Sequence, residues 1–517
     1  MTSPDPVERQ VKAKTGVKLG DKPSQRSVPA AQIKAGLAKI DKRNLLCLII
    51  GLSFFTGVML MPTPDPAIDP EGKSFPLTYQ GQAALALFFL AATWWVCEVI
   101  PIGVTSILIG VIQALFLIRE PRVAFTDFMD PSVWFIFGSL VIGMVFTKTG
   151  LTRRMAYKTL SLVGERTSMI YLGCFSLTSA LTLIMAHTAV AATIFPLLVT
   201  IYAMYDKPGT RTKFGKGLFM GMAFVAGAGS IVTLLGAARG AVALGFFRDI
   251  TGQSISFFRL TYYMLPVGVV MTILLWGYFM IIYKPEKDTI PGLTQKAKDL
   301  YGKLGPITPA EVATLIIVFS SIAILGMRSF VPALAQLDKA AVLLTTTVLF
   351  FLFRILTVKD LEQIPWNIVL LFGGAMSIGF CLWQTGAANW LAVTWLVMFQ
   401  DASWFVFVMA IGLFVLIMTN VIMNVAAIAI SLPVALVLAP YMGVAPTVIL
   451  FASLVCAGMP FMLLVGAAPN AIAYESRQFT SGEFLKAGIP ASIMLMAVLG
   501  IFVYFIWPAM GMPITLS

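Results

Sequence analysis

The chain has 517 residues, of which 58% are hydrophobic and only 12% are charged, and its mean hydropathy is +0.89. A soluble protein of this length needs a mostly polar surface, so the composition excludes a soluble globular domain. The formal net charge of +12 is interpreted as membrane topology rather than nucleic-acid binding. The five cysteines lie in separate apolar segments without ligand spacing, which is typical of packing residues.

The first 43 residues are polar and basic, and they lack the early apolar run of a signal peptide. This composition predicts a disordered tail with a short amphipathic end near residues 30–40. Lys and Arg are in excess directly before the first apolar segment, which predicts a cytoplasmic N-terminus.

Apolar runs close to the ~20 residues that cross a bilayer recur from Asn44 to the C-terminus. They are too many for a membrane anchor, and they predict an all-α polytopic membrane protein of the transport type. The strongest runs lie at 44–62, 80–100, 102–118, 131–147, 167–205, 214–235, 263–283, 309–327, 340–358, 365–383, 403–440, 446–465 and 487–507.

Three polar segments are strongly basic, namely 148–166, 206–216 and 284–303. The positive-inside rule puts all three on the cytoplasmic side only if 167–205 enters and leaves the membrane by the same face. That segment is therefore predicted to be a re-entrant hairpin, and the same argument makes 403–440 a second hairpin that enters from outside. The prediction is about 11 transmembrane helices plus two hairpins, with the C-terminus outside.

The two halves of the chain resemble each other locally. A proline follows nine residues after His187 in the first hairpin and nine residues after Asn424 in the second. Gly-Ala-Ala then follows each hairpin, beginning at Gly236 and at Gly466. Because the hairpins enter from opposite faces, the repeats are predicted to be inverted in topology, as in many secondary transporters.

This repeat predicts the organisation of the chain and the place of its binding site. Each half holds one hairpin and one broken helix, with the breaks at 236–240 and 466–470. Unpaired backbone in a bilayer is tolerated only where it lines a cavity, so the hairpin tips and the breaks form the predicted site. Helix N-termini aimed at that site would favour an anion. The predicted units are a tail (1–43), a first half (44–283), a cytoplasmic linker (284–308) and a second half (309–517).

Three motifs carry a resemblance to a known family. WWVCEVIP at 94–101, IPWNIVLLFGG at 364–374 and GAAPN at 466–470 resemble signatures of the divalent anion:sodium symporter family. The resemblance runs from about Leu85 to Pro508. It implies a carrier of dicarboxylates, citrate or sulfate with Na⁺ as the coupling ion. It also implies a homodimer with a scaffold domain and an elevator-like transport domain.

The hairpin tips depart from the Ser-Asn-Thr motif that the family usually has there. The first tip reads Ala-His-Thr at 186–188 and the second reads Met-Asn-Val at 423–425, so both serines and one threonine are replaced. Arg239 stands near the first break where the family tends to have Pro-Asn, whereas the second break keeps Pro-Asn at 469–470. Sodium coupling, proton coupling and anion exchange therefore stay open as alternatives.

Two ionisable residues stand out in the apolar sequence. His187 is the only histidine of the chain, and it would donate to a substrate carboxylate, gain a proton with it, or simply bond a carbonyl. Arg239 would bind a carboxylate with its planar fork, supply the charge of a sodium ion, or extend to the membrane interface. The hypothesis favoured here is an organic-anion carrier with reduced sodium dependence at the first site.

Small polar residues complete the candidate site. Thr188, Asn424 and Asn470 suit carboxylate or ion coordination, and the alternative is that they cap the broken helices. Met423 and Val425 make the second tip narrow and apolar. The predicted substrate-binding residues are His187, Thr188, Arg239, Asn424, Val425 and Asn470, and the predicted ion-binding residues are Gly236, Ala237, Met423, Asn424, Gly466 and Ala467.

The expected function is secondary active transport of small mono- or dicarboxylates across a bacterial cytoplasmic membrane. An enzyme is not expected, because one histidine and few intramembrane carboxylates offer no metal site, no other cofactor site and no nucleophile–base pair. The expected partners are the organic anion, the lipid bilayer and a second copy of the chain, without nucleic acid. The alternative is a sensor or assembly scaffold derived from a transporter, because the tips depart from the family motif.

Overall fold

The computed structural model describes residues 42–69, 72–207, 210–399 and 402–516. The predicted tail, including the amphipathic end near residues 30–40, lies outside the described residues except for its last two positions. The described residues are mostly helical, as predicted. Two strands of two residues, Ala67–Ile68 and Ser74–Phe75, pair antiparallel in the first connection.

The helices of the first half begin and end at local sequence signals. The side chain of Asp130 accepts from the Ser132 N–H at 2.7 Å before one helix, and Gly150 ends that helix at φ 84°. Only glycine adopts this left-handed conformation without strain. The helices are α1 Lys42–Leu60, α2 Tyr79–Cys97, α3 Ile102–Leu115, α4 Pro121–Thr126, α5 Pro131–Thr149, α6 Leu151–Val163, α7 Thr167–Leu181, α8 His187–Tyr205, α9 Lys213–Gly229, α10 Arg239–Thr251 and α11 Phe257–Ile282.

The predicted linker carries a helix, α12 (Leu293–Lys303), which packs against α6. Arg154 of α6 fastens this region to the second half, because its Nε donates to Glu311 Oε1 at 2.8 Å and its Nη1 donates to Gly305 O at 2.9 Å. The linker is therefore an ordered element that joins the two halves.

The second half repeats the order of the first. Its helices are α13 Pro309–Met327, α14 Pro332–Ala335, α15 Lys339–Leu352, α16 Val358–Glu362, α17 Trp366–Gln384, α18 Ala387–Phe399, α19 Trp404–Val421, α20 Asn424–Leu438, α21 Pro446–Gly458, α22 Ala468–Tyr474, α23 Ser481–Ile501 and α24 Trp507–Ala509. Short 3₁₀ turns lie at Asp127–Met129, Pro440–Met442 and Leu464–Gly466, and a π turn at Phe502–Ile506.

Helix lengths agree between the halves. Helices α2 and α13 have 19 residues, α3 and α15 have 14, α5 and α17 have 19, and α6 and α18 have 13. Helices of the two halves also pack against each other, since α3 packs against α17 and α5 packs against α15. The Gly103 N–H donates to Asn367 Oδ1 at 2.8 Å, and Gln113 Nε2 donates to Ser377 Oγ at 2.8 Å. Both halves are thus needed to build one core.

Each predicted hairpin consists of two helices that a short non-helical tip separates. The first hairpin is the pair α7 and α8 with a tip at 182–186, and the second is α19 and α20 with a tip at 422–423. The broken helices are α9 with α10 and α21 with α22. Eight helical stretches among the described residues are long and apolar enough to cross a membrane, and six shorter helices are apolar. The total of about 11 spans stays a prediction.

Candidate functional site

Both hairpin tips and both breaks line one cavity of about 500 Å³. The chain contributes 186–189 and 423–425 from the tips, and 237–238 and 466–468 from the breaks. Residues of α5, of α17 and of the segment 360–365, which runs from α16 to α17, contribute to the remaining wall. The volume is in the range of pockets that hold small molecules. The structure therefore brings together the four segments that the sequence singled out.

Four helices begin at this cavity. Helix α8 begins at His187, α10 at Arg239, α20 at Asn424 and α22 at Ala468. None of these N-termini has a side-chain hydrogen bond from its capping residue. The first N–H groups of a helix lack intrahelical partners and carry the positive end of the helix dipole. The cavity is therefore surrounded by hydrogen-bond donors and partial positive charge.

The first tip is fastened to the first break. The His187 N–H donates to Gly236 O at 2.9 Å, and the ring Nδ1 lies 3.3 Å from the same oxygen. Thr233 Oγ1 donates to Leu183 O at 2.9 Å. His187 and Thr188 line the cavity, whereas Gly236 does not. His187 thus lies close to a backbone carbonyl, which was one of the alternatives for this residue, and it also lines the cavity.

The second tip is fastened to the second break by a residue that sequence reasoning missed. Asn420 Oδ1 accepts from the N–H groups of Met462 at 2.8 Å and Leu463 at 3.2 Å. The signal in the sequence was its place four residues before Asn424, one helical turn from the tip. Asn424 itself lines the cavity together with Met423 and Val425, and Gly466, Ala467 and Ala468 complete that wall.

Two predicted substrate-binding residues lie behind the cavity wall. Asn470 is 2% exposed, and its Nδ2 donates to Pro460 O at 2.8 Å and to Leu463 O at 3.1 Å. Arg239 is 1% exposed, and its Nη2 donates to Ser230 Oγ at 2.7 Å. Neither side chain is among the residues that line the cavity. Both hold the breaks in shape in this conformation.

An ion pair in the cavity wall was also missed. Lys148 Nζ lies 2.7 Å from Asp360 Oδ2, and both residues line the cavity. The Lys148 ammonium, together with hydrogen bonds from Thr357, lowers the pKa of Asp360 to about 2. In the sequence, Lys148 belongs to the basic segment 148–166, which indicates topology, and its partner lies 212 residues away. No group of three or more His, Cys, Asp or Glu side chains in the described ranges could hold a metal ion.

Residues 42–513 match the family model described as the sodium:sulfate symporter transmembrane region. The match covers most of the chain, so the chain belongs to this family. The protein is therefore an integral, multi-pass membrane transporter and not an enzyme.

Two bacterial transporters are similar in sequence to this chain over about 90% of its length. The sodium-dependent dicarboxylate transporter SdcS of Staphylococcus saprophyticus is 24% identical over 494 residues, which cover 91% of this chain and 93% of the relative. The protein of the same name from Staphylococcus aureus is 25% identical over 488 residues, with coverages of 90% and 91%.

Two solved structures support the fold alone, because their identities are low. The YdaH transporter of Alcanivorax borkumensis has a TM-score of 0.53 at 13% identity, covering 92% of this chain and 99% of that one. MtrF of Neisseria gonorrhoeae has a TM-score of 0.54 at 12% identity, covering 90% and 94%.

Proposed function

We propose that the protein is a secondary transporter that carries small organic anions with carboxylate groups across the cytoplasmic membrane of a bacterium. The observation that carries this proposal is the meeting of four uncapped helix N-termini at one cavity inside an apolar protein. Half-helix N-termini are the usual anion-binding elements of inverted-repeat transporters. The staphylococcal relatives, which are sodium-dependent dicarboxylate transporters, support the substrate class.

The two tips offer different groups to such an anion. At the first tip, the Thr188 hydroxyl and the uncapped start of α8 supply donors, with His187 beside them. At the second tip, the Asn424 amide and the start of α20 do so, while Val425 offers an apolar contact. Donors on two tips suit a molecule with two carboxylate groups on a short carbon chain, because each group can accept from one helix start.

Transport would require the tips and breaks to move together against the rest of the protein. Much of the cavity wall that the tips and breaks do not supply comes from α5 and α17, which pack against α15 and α3. We assign these four helices to a scaffold and the two hairpins with their broken helices to an elevator-like transport domain in a homodimer. The basic segments support our proposal of an N-terminus inside and a C-terminus outside, with about 11 spans.

Uptake of radiolabelled succinate into proteoliposomes tests the proposal. We expect saturable uptake that unlabelled dicarboxylates inhibit, measured with a sodium gradient, with a proton gradient and with dicarboxylate preloaded inside. The three conditions separate sodium coupling, proton coupling and exchange. A protein that moves no mono- or dicarboxylate under any of them is not a carrier of these anions.

A thermal-shift measurement on the same purified protein distinguishes a sensor from a scaffold if no transport is found. Binding of a ligand to the folded state raises apparent stability by mass action, by about 2.7 kcal/mol at a hundredfold excess over Kd. A thermal shift with organic acids but no flux would favour the sensor. No shift and no flux would favour the scaffold.

A further inference from the structure

Arg239 is a buried cation in the interior of the transporter. The residue is 1% exposed, and its Nη2 donates to Ser230 Oγ at 2.7 Å. In the described part of the chain, Nη1 has no hydrogen-bond partner and no carboxylate forms an ion pair with the guanidinium. Ionisable residues inside membranes are costly and mark functional sites by default. A neighbouring negative potential must therefore offset the cost of this charge.

The ends of two half-helices supply that potential. Ser230 caps the end of α9, and its Oγ donates to Gly227 O at 2.7 Å. Gly458 ends α21, and a Cβ built there would lie 2.8 Å from Arg239 Nη2. A Cβ on Gly227 would lie 2.9 Å from Gly458 O, so the two helix ends cross at glycines. Helix C-termini carry partial negative charge and unpaired carbonyls, and the guanidinium lies where two of them meet.

In inverted-repeat transporters, half-helix C-terminal ends and unwound carbonyls are the groups that hold coupling cations. We propose that Arg239 is a built-in cation that takes the place of a coupling sodium ion at the first break. The guanidinium then neutralises the first half of the site permanently, and it opposes sodium binding beside it. This inference rests on the proposed function, because the anionic cargo is what the fixed charge balances.

The second break has no such charge. Pro469 stands at the position that corresponds to Arg239, three residues after the glycine of the Gly-Ala-Ala motif. The neutral amide of Asn470 donates to the carbonyls of Pro460 and Leu463 instead. Any sodium dependence should therefore arise at the second break, with at most one coupling ion there for each protomer.

Sodium titration of the purified full-length protein tests the inference. Thermal unfolding is measured in sodium chloride and in choline chloride, with and without succinate. The wild type should respond to sodium not at all or with a Hill coefficient of about 1. Arg239→Gln should gain an additional sodium response. Its affinity for succinate should fall about tenfold without sodium and recover partly when sodium is added.

Two variants serve as controls. Arg239→Lys keeps the charge and should respond to sodium as the wild type does. Arg259→Gln removes an exposed cation at the start of α11 and should also match the wild type.

A wild-type Hill coefficient clearly above 1 overturns the inference, and this measurement is decisive even if Arg239→Gln does not fold. An Arg239→Gln protein that folds and shows the wild-type sodium response also overturns it. If no variant binds or moves an organic anion while Arg239→Gln gains a sodium response, the proposed function fails and the role of Arg239 stands.

Discussion

The two halves share a backbone plan but differ in charge at corresponding positions. Helices α5 and α17 have equal lengths, yet Lys148 near the end of the first corresponds to Gln384 at the end of the second. His187 at the first tip corresponds to Asn424, and Arg239 corresponds to Pro469. The fold requires the repeated pattern of helices and breaks, whereas the side chains there are free to diverge. The first half thus carries the cations Lys148 and Arg239, whereas the second half contributes the carboxylate of Asp360, the partner of Lys148, to the cavity wall.

The halves also fasten their hairpins differently. In the first half, Thr233 Oγ1 donates to a hairpin carbonyl, that of Leu183. In the second half, Asn420 of the hairpin accepts from two backbone N–H groups of the break. The second hairpin depends more on a single side chain, because that side chain satisfies two donors.

A carboxylate placed at each tip gives the largest expected effect. Asp is favourable at the start of a helix, so Asn424→Asp should fold, but its charge should repel an anion in the cavity. At ~4 Å and an effective dielectric constant of about 20, that repulsion is about 4 kcal/mol, so succinate binding should weaken about 1000-fold. Thermal shift with succinate measures the loss.

The matched change at the first tip is Thr188→Asp. The cations of the first half offset the new charge, so the loss of succinate affinity should be smaller than that of Asn424→Asp. An equal or greater loss would contradict the charge difference between the halves.

Removal of Asn420 should be the most destabilising of the small changes to the hairpin contacts. Asn420→Ala leaves the N–H groups of Met462 and Leu463 without this acceptor. The loss should lower the free energy of unfolding by about 2–4 kcal/mol, because each unsatisfied N–H group costs about 1–2 kcal/mol. Thr233→Val in the first half should cost only about 1 kcal/mol. Thermal unfolding in detergent measures both effects.

Thr419→Val is a control on the same helical turn as Asn420. It removes one hydrogen bond, from Thr419 Oγ1 to Ala457 O at 3.1 Å. If Asn420→Ala is no worse than this control, the two backbone bonds do not fasten the second hairpin.

The sequence predicted the interruptions well because a break in a membrane helix needs local features. Gly-Ala-Ala and a proline at fixed spacing mark them in both halves. It could not predict that Arg239 points behind the cavity wall, since the direction depends on the crossing of α9 with a helix of the other half. The contact of Lys148 with Asp360 was equally hidden, because 212 residues separate them and only packing brings them together. Local pattern therefore predicts the backbone of the site better than its charges.

A third prediction concerns the cation of the cavity wall. Lys148→Gln removes a half-exposed charge and leaves the Asp360 carboxylate in the cavity wall without its ammonium partner, so the KM for succinate should rise about threefold to tenfold, and added salt should reduce the difference from the wild type. Gln384→Lys restores the formal charge at the corresponding position of the second half and should not rescue Lys148→Gln. Rescue would mean that total charge, rather than its place in the first half, sets the affinity.

The effect of Lys148 should not depend on pH in the physiological range. The pKa of Asp360 is lowered from 3.8 to about 2 by the ammonium of Lys148 and by Thr357. A lowered pKa means that the pair is intact above about pH 4 and is lost only as the pH falls toward 2. The ratio of KM values for Lys148→Gln and the wild type should be constant between about pH 7 and pH 8, where both carboxyl groups of succinate are also ionised. A changing ratio would show that another group titrates with the pair.

The smallest expected effect concerns an ion pair that joins the two proposed domains. Arg248 of α10 lies 3.6 Å from Asp130, the residue before α5, and the Arg248 side chain is 44% exposed. An exposed pair contributes at most about 1 kcal/mol, so Arg248→Gln should raise the initial uptake rate by no more than about fivefold and leave KM unchanged. The reason is that this contact holds the first broken helix against the scaffold in this conformation only.

Asp249→Asn is the matched control, because it breaks the pair of Asp249 with Arg248 at 2.7 Å and spares Asp130. If Asp249→Asn speeds uptake as much as Arg248→Gln does, the change reflects general surface charge. If only Arg248→Gln speeds uptake, the contact with Asp130 restrains the proposed transport domain. Since Trp366 corresponds to Asp130 and Gln478 corresponds to Arg248, that restraint would belong to the first half alone.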